Sequence, residues 1–196
     1  MNEGQVVHDR VLNFRYALAQ VHPQALTSPQ VKRDQDRMFT LLDECGESAL
    51  SRQNPKAHFT ASAFIFSPKG EVLALFHRKL QRWLQPGGHI ESTDLSPLEG
   101  AIREAIEESG LTDLSLMLAG PIDLDIHQIP SRPTEEEHEH FDIRYALMTT
   151  SPERAKLSSE SSGLKWLSGD LLERWMSEEE SIRRPISLIR QFCFDL

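Results

Sequence analysis

Cysteine is almost missing from this chain of 196 residues: Cys45 and Cys193 are the only two, far apart and without the short spacing of a metal-binding pair. That argues against a disulfide-stapled scaffold or a thiolate zinc module, and the two read as free thiols. Long apolar runs are missing too. No stretch of about 18 apolar residues offers a membrane span, and the polar opening MNEGQVVHDR lacks the apolar core and cleavage site of a secretory signal. The cytoplasm is the expected compartment. Positive charge is also scarce, with 21 Lys and Arg against 30 Asp and Glu, a net charge of −9 and a pI near 5.4. Such a balance disfavours stable binding to nucleic acid or to an anionic membrane, which needs basic patches. Any phosphate-bearing ligand must be met by metal ions or by local basic residues.

What is present concentrates in Pro86–Leu111, PGGHIESTDLSPLEGAIREAIEESGL. Gly87-Gly88 lets the backbone turn sharply and approach a ligand closely. A helix then starts at Ser96-Pro97, a serine that can cap orphan N–H groups and a proline that loses nothing at the first helical position, and Gly110 supplies its stop. Leu98, Ala101, Ile102, Ala105 and Ile106 recur at steps of three and four, an apolar stripe suited to packing on a sheet. On the other side Glu104, Glu107 and Glu108 fall at i, i+3 and i+4, so their carboxylates converge and repel. A divalent cation reverses the sign of that interaction, and hard carboxylate oxygens suit magnesium or manganese. Arg103, one turn before Glu107, is placed to orient its carboxylate. Taken alone the pattern is also that of a solvated acidic face; the glycine turn upstream points to a site.

In order, Gly88, Arg103-Glu104-Ala105, Glu107-Glu108 and Gly110-Leu111 resemble the Nudix box, a glycine and a glutamate followed by R-E-hydrophobic-x-E-E-x-G-hydrophobic. Two departures stand out. The interval from Gly88 to Arg103 is one residue longer than the family pattern, and the acid in mid-loop is Asp94, or is lost to Leu95, where glutamate is usual. The resemblance covers residues 86–111 directly and, more weakly, about residues 58–150. It implies an α/β fold, a Nudix-type α/β/α sandwich with a mixed β-sheet. Residues 1–52 would then be an N-terminal helical extension packed on a hydrolase domain of residues 53–196.

The resemblance also implies a chemistry, hydrolysis of a phosphoanhydride bond in a small-molecule nucleoside diphosphate linked to another group X. Mg2+ or Mn2+ would be held by Glu104, Glu107, Glu108 and the Gly88 carbonyl. Arg103 would orient the cluster, and the base would be Glu107, Glu108 or a residue on a loop outside the box. Glu135, Glu136, Glu137, His138 and His140 are the loop candidates for an additional ligand or base, and Glu91 is a further candidate, as a support of the ligands or a ligand itself. A monomer or a homodimer is expected. Two alternatives remain open at this stage. One is a sensor module of the same fold that binds a nucleotide or sugar nucleotide without cleaving it, although such modules usually lack the glutamates retained here. The other is isomerisation of an isoprenoid diphosphate, for which neither cysteine is suitably placed.

Around the box, residues 6–21 and about 27–50 read as amphipathic helices. AHFTASAFIF and EVLALFHR read as neighbouring strands joined at Ser67-Pro68-Lys69-Gly70. His77, Arg78, Lys79 and Arg82 form the densest basic stretch just before the glycine turn, candidates for binding substrate phosphates or simply an exposed strand end. LSLMLAGPIDLDIHQIP gives one or two strands, SRPTEEEHEH an exposed loop, and FDIRYALMTT another strand. His138, His140, Asp142 and Arg144 alternate and share one face in an extended chain; two histidines there lack a third zinc ligand. A strand end at Leu164–Leu167 and two helices follow, the last from about Pro185.

Overall fold

The computed structural model describes residues 3–131 and 136–194, with side chains from Arg10 onward. Strand β1 (Ala57–Phe66) is its centre, and all ten residues are buried, as expected of a strand covered on both faces. It runs parallel to β7 (His138–Met148), from Ala57 opposite Glu139 to Phe66 opposite Met148. β2 (Val72–His77) and β4 (Gly87–His89) pair with β1 in the antiparallel sense. β3 (Arg82–Leu84) and β8 (Ser161–Leu167) flank β2, while β5 (Ser115–Leu116) and β6 (Asp123–Ile129) pair with β7. Together they form one mixed eight-stranded sheet.

Side chains alternate across a strand, so β1 offers two different faces. Phe59, Ala61, Ala63 and Ile65 point to the face covered by α1 (Glu3–Ala19), α2 (Pro29–Cys45) and α3 (Pro97–Ser109). Phe14 of α1 meets Phe59 edge-on with ring centroids 5.5 Å apart, and Arg37 of α2 lies over Phe141, the register partner of Phe59. Ala101 and Ala105, both fully buried, let α3 come close to β1. The opposite face receives α4 (Gly169–Glu178) and α5 (Glu180–Cys193), with Trp175 on Phe64 and Phe194 on Phe66. The expected α/β/α sandwich with its N-terminal helical extension is what forms.

Three boundaries differ from the sequence reading. α2 ends at Cys45 and continues as a 3-10 turn to Leu50. β7 begins at His138 because Ile129 and Ala57 already pair with its first residues; His138 and His140 belong to a buried strand and not to an exposed loop. The last helix starts at Glu180, ahead of Pro185. A proline inside a helix removes the N–H that would bond the carbonyl four residues back. Here that carbonyl is Ser181, and Arg144 Nη1 donates to it at 2.7 Å, so the helix runs on through Pro185.

Candidate functional site

Helix α3 starts and stops as its sequence dictates: Ser96 Oγ accepts the Glu99 N–H, and Gly110 is left-handed. With its apolar stripe on β1, the acidic side faces the glycine turn of β4. The approach is so close that a Cβ at Gly88 would stand 2.6–2.8 Å from the Glu104 carboxylate, and one at Gly87 would stand 2.3 Å from Ser62 Cβ. Only glycine fits at position 87, where strand β1 itself blocks a side chain, whereas a side chain at position 88 would displace the Glu104 carboxylate. The Gly87 N–H donates to Glu108 Oε1 at 3.2 Å. The acidic side chains grade from enclosed to open, Glu104 being 15% and Glu107 57% exposed.

Arg103 fastens the inner end of this row. Its Nη1 lies 2.8 Å from Glu104, its Nη2 2.9 Å from Asp94 and 2.8 Å from the His89 carbonyl. The contact expected with Glu107 is the longest, 3.4 Å. Asp94 is buried and also accepts the Glu91 N–H at 2.8 Å, while its own N–H bonds the Glu91 carbonyl. Asp94 is thus the loop acid fastened to Arg103, and Leu95 is exposed.

Arg10 of α1 completes the loop's support and was not visible from sequence. Its Nε donates to the Asp94 carbonyl at 3.0 Å, its Nη2 to the Glu91 carbonyl at 2.9 Å, and its Nη1 pairs with Glu47. The N-terminal helices thus brace the loop between Gly88 and α3. No local signal distinguishes such an arginine from a surface one on an amphipathic helix.

Burial raises the carboxyl groups of Glu104 and Glu108, Glu108 to about 7; the Gly87 N–H opposes this, and Glu104, Glu160 and Glu107 add to it. A pocket that pushes its carboxyl groups upward is short of positive charge, and with the glycine turn it fits a hard divalent cation. Glu160, on the loop before β8, enters the site through this coupling, and its backbone carbonyl accepts the Arg78 N–H. A pH dependence follows. Between 4.5 and about 7 the folded chain holds a proton on Glu108 that the unfolded chain releases, so stability falls as pH rises through that window. In chelator, Tm of the wild type should decline across that interval, and less so in Glu108→Gln. Equal slopes would mean that Glu108 is ionised throughout.

The other predicted residues are spread around this centre. Glu91 is exposed at the loop, and Arg78, its Nε on the Ser161 carbonyl, and Lys79 are exposed at the β2–β3 turn. Arg82 is paired with Glu179. Glu137 bonds Gln128 between β6 and β7, Glu136 offers its carbonyl to His138, and Glu135 lies outside the described residues.

His138 and His140 do share a face with Asp142 and Arg144, as expected, and it is the sheet face opposite the glutamates. Cross-strand partners lie on the same face. Gly88 pairs with Ala61 on the α3 side, whereas His89 pairs with Thr60 on the other. There His58, His140 and His127 form one row, and Thr60, Asp142 and Asp125 the next. Asp142 accepts from Thr60 Oγ1 at 3.1 Å, Ser62 Oγ at 2.7 Å and Arg144 Nε at 2.8 Å. Burial and the surrounding histidines push His140 down to about 2, so its imidazole is neutral.

A sandwich that presents the carboxylates of one helix over a glycine turn, with an arginine fastening the innermost, has the donor set that suits a hard cation. The family model described as NUDIX domain matches residues 56–186, and the chain belongs to that family. It is 31% identical over 113 residues to a protein of Lactococcus lactis subsp. cremoris (strain MG1363) named a probable DHNTP pyrophosphohydrolase. That match covers 57% of this chain and 66% of the relative, slightly less than two thirds of its length. The crystal structure of a NUDIX-family hydrolase from Clostridium perfringens superposes with a TM-score of 0.51 at 29% identity, over 67% of this chain and 97% of that one. No helix among the described residues is long and apolar enough to cross a membrane.

Proposed function

We propose that this chain is a Nudix pyrophosphohydrolase that cleaves a phosphoanhydride bond in a nucleoside diphosphate linked to a further group X, by attack of water. The observation that carries this reading is the complete glutamate set, with Glu104 fastened by Arg103 over Gly88 and Glu108 bonded to Gly87. Residues 53–196 form the hydrolase domain, and residues 1–52 are an extension packed on it. Mg2+ or Mn2+ would be held by Glu104, Glu107, Glu108 and the Gly88 carbonyl, where it would neutralise phosphate oxygens and lower the pKa of water.

The remaining work falls to the chain. Arg103 and Asp94 hold Glu104 in one orientation, while Arg78 and Lys79 offer positive charge to the outer phosphates; Arg82, paired with Glu179, contributes less. We assign the proton of the attacking water to the Glu160 carboxylate ahead of Glu107, Glu108 and the Glu135 to Glu137 loop: it is exposed on the loop before β8, and its charge adds to the upward push on the carboxyl groups of Glu104 and Glu108. Glu160→Gln should lower kcat by about 10²–10⁴-fold, the usual worth of a general base, with KM little changed. An unaltered kcat would return that role to Glu107 or Glu108. The reading places the protein in the cytoplasm, where its free thiols Cys45 and Cys193 would persist, as a monomer or homodimer.

The test is release of the two phosphorylated cleavage products, a monophosphate and its partner (pyrophosphate in the case of DHNTP), from DHNTP, nucleotide sugars and dinucleoside polyphosphates in Mg2+ or Mn2+. DHNTP heads the panel because the Lactococcus relative is named for it. Metal-dependent release from one class names the substrate. Tight nucleotide binding with no release from any would replace the hydrolase with a sensor module.

A further inference from the structure

On the sheet face opposite the glutamates, one ring nitrogen from each of His58, His89 and His140 lies within 4.8 Å of the other two. The ring centroids are 5.1 Å apart for His58 and His89, 4.9 Å for His58 and His140, and 5.1 Å for His89 and His140. The backbone sets this spacing. His58 and His140 are register partners on β1 and β7, and His89 pairs with Thr60, the next residue along the same face of β1. His58 is buried and the other two are half-buried, so the three rings meet largely out of water.

Hydrogen bonds orient two of the rings. A carbonyl can only accept. His58 Nδ1, 3.3 Å from the Asn54 carbonyl, therefore carries the proton, and its lone pair is on Nε2. His138 Nδ1 likewise donates to the Glu136 carbonyl at 2.8 Å, and its Nε2 lies 3.2 Å from His140 Nε2, a contact that orients the His140 ring. Imidazoles whose second nitrogen is tied to an acceptor in this way are the ones that serve as metal ligands, because the bond fixes both tautomer and ring orientation.

We propose that His58, His89 and His140 form a binding site for one borderline divalent transition ion, Zn2+ by preference, separate from the carboxylate site. An all-nitrogen donor set suits Zn2+, Co2+, Ni2+ or Cu2+ and not Mg2+ or Ca2+. Zn–N bonds of about 2.0–2.1 Å hold tetrahedral ligands about 3.4 Å apart, so the rings reach the ion by small side-chain rotations. Three protein ligands leave the fourth corner to water or to an anionic ligand. β4 then carries two sites back to back, with Gly88 against Glu104 on one face and the His89 ring on the other. The His89 carbonyl also accepts Arg103 Nη2, which ties the ion's seat to the arginine that fastens Glu104. The site stands whether or not the chain hydrolyses a diphosphate.

The test uses the full chain, stripped with chelator, equilibrated with Zn2+ in excess Mg2+ and separated from free metal. About one Zn2+ per chain should be retained, equally by Glu107→Gln, and the affinity should fall at least about 10²-fold in His140→Gln and in His89→Gln. Co2+ in the wild type should give intense visible absorption typical of tetrahedral nitrogen ligation, without a thiolate charge-transfer band. The spectrum decides the matter even if one variant fails to fold, and it separates the site from Cys45 and Cys193. No retained Zn2+ in the wild type, retention unchanged in both folded histidine variants, or a thiolate band would overturn the proposal.

Discussion

Glu107→Gln should lose turnover by on the order of 10³-fold, while the metal-free protein becomes no less stable. Charge neutralisation at a phosphoryl centre contributes several kcal/mol to the transition state, and each 1.36 kcal/mol is tenfold in rate. Stability responds in the other direction because Glu107 is 57% exposed, meets Arg103 only at 3.4 Å and adds to the repulsion that raises Glu104 and Glu108. Glu104→Gln provides the contrast. It should cost comparable activity and also some stability, since it weakens the 2.8 Å bond to Arg103 in a largely enclosed position. The measurements are kcat in saturating Mg2+ and Tm in chelator for both variants. Undiminished kcat in Glu107→Gln would remove that residue from the mechanism.

What could be placed from sequence was placed by local rules. The Ser96-Pro97 start, the Gly110 stop and the apolar stripe each depend on residues a turn or less apart; the two ends appear where expected, and of the stripe Ala101 and Ala105 are buried while Leu98, Ile102 and Ile106 are half-buried. The loop departures were equally visible, but their resolution was not. Asp94 is held by Arg103 and, through its carbonyl, by Arg10, 84 residues away, and no local pattern encodes the second contact. Glu160 is similarly invisible in a serine-rich loop. The alternation of His138 and His140 was legible, whereas the third and fourth imidazoles arrive through strand register, His58 across from His140 and His89 one step along. Pro185 misled because a proline normally marks a helix start. It is tolerated in mid-helix here only because a buried arginine takes the orphaned Ser181 carbonyl.

Arg144→Met should be the most destabilising of these substitutions, by about 3–5 kcal/mol, the range for removing one partner of a buried ion pair. In a chain of this size that corresponds to a Tm lower by about 10 °C. Arg144 is 3% exposed and bonds Asp142 at 2.8 Å, Asp125 at 3.0 Å and Asp123 at 3.3 Å. Its loss would leave Asp123 and Asp125 to Arg184, which bonds them at 3.0 Å and 3.4 Å, and the buried Asp142 with only the hydroxyls of Thr60 and Ser62. It would also leave the Ser181 carbonyl without its donor, adding an unsatisfied acceptor inside α5. Methionine fills similar volume, so the deficit would be electrostatic and should shrink in acid. Carboxyl groups stripped of a cation titrate higher in the folded state, and the variant therefore loses stability as pH rises from about 4 towards 7. Arg144→Lys should recover only part of the loss, because an ammonium cannot reproduce the planar fork that reaches three aspartates and a carbonyl at once. Denaturant unfolding at both ends of that pH interval measures all of this. A deficit below about 1 kcal/mol at neutral pH, or one independent of pH, would show that the aspartates are satisfied without Arg144.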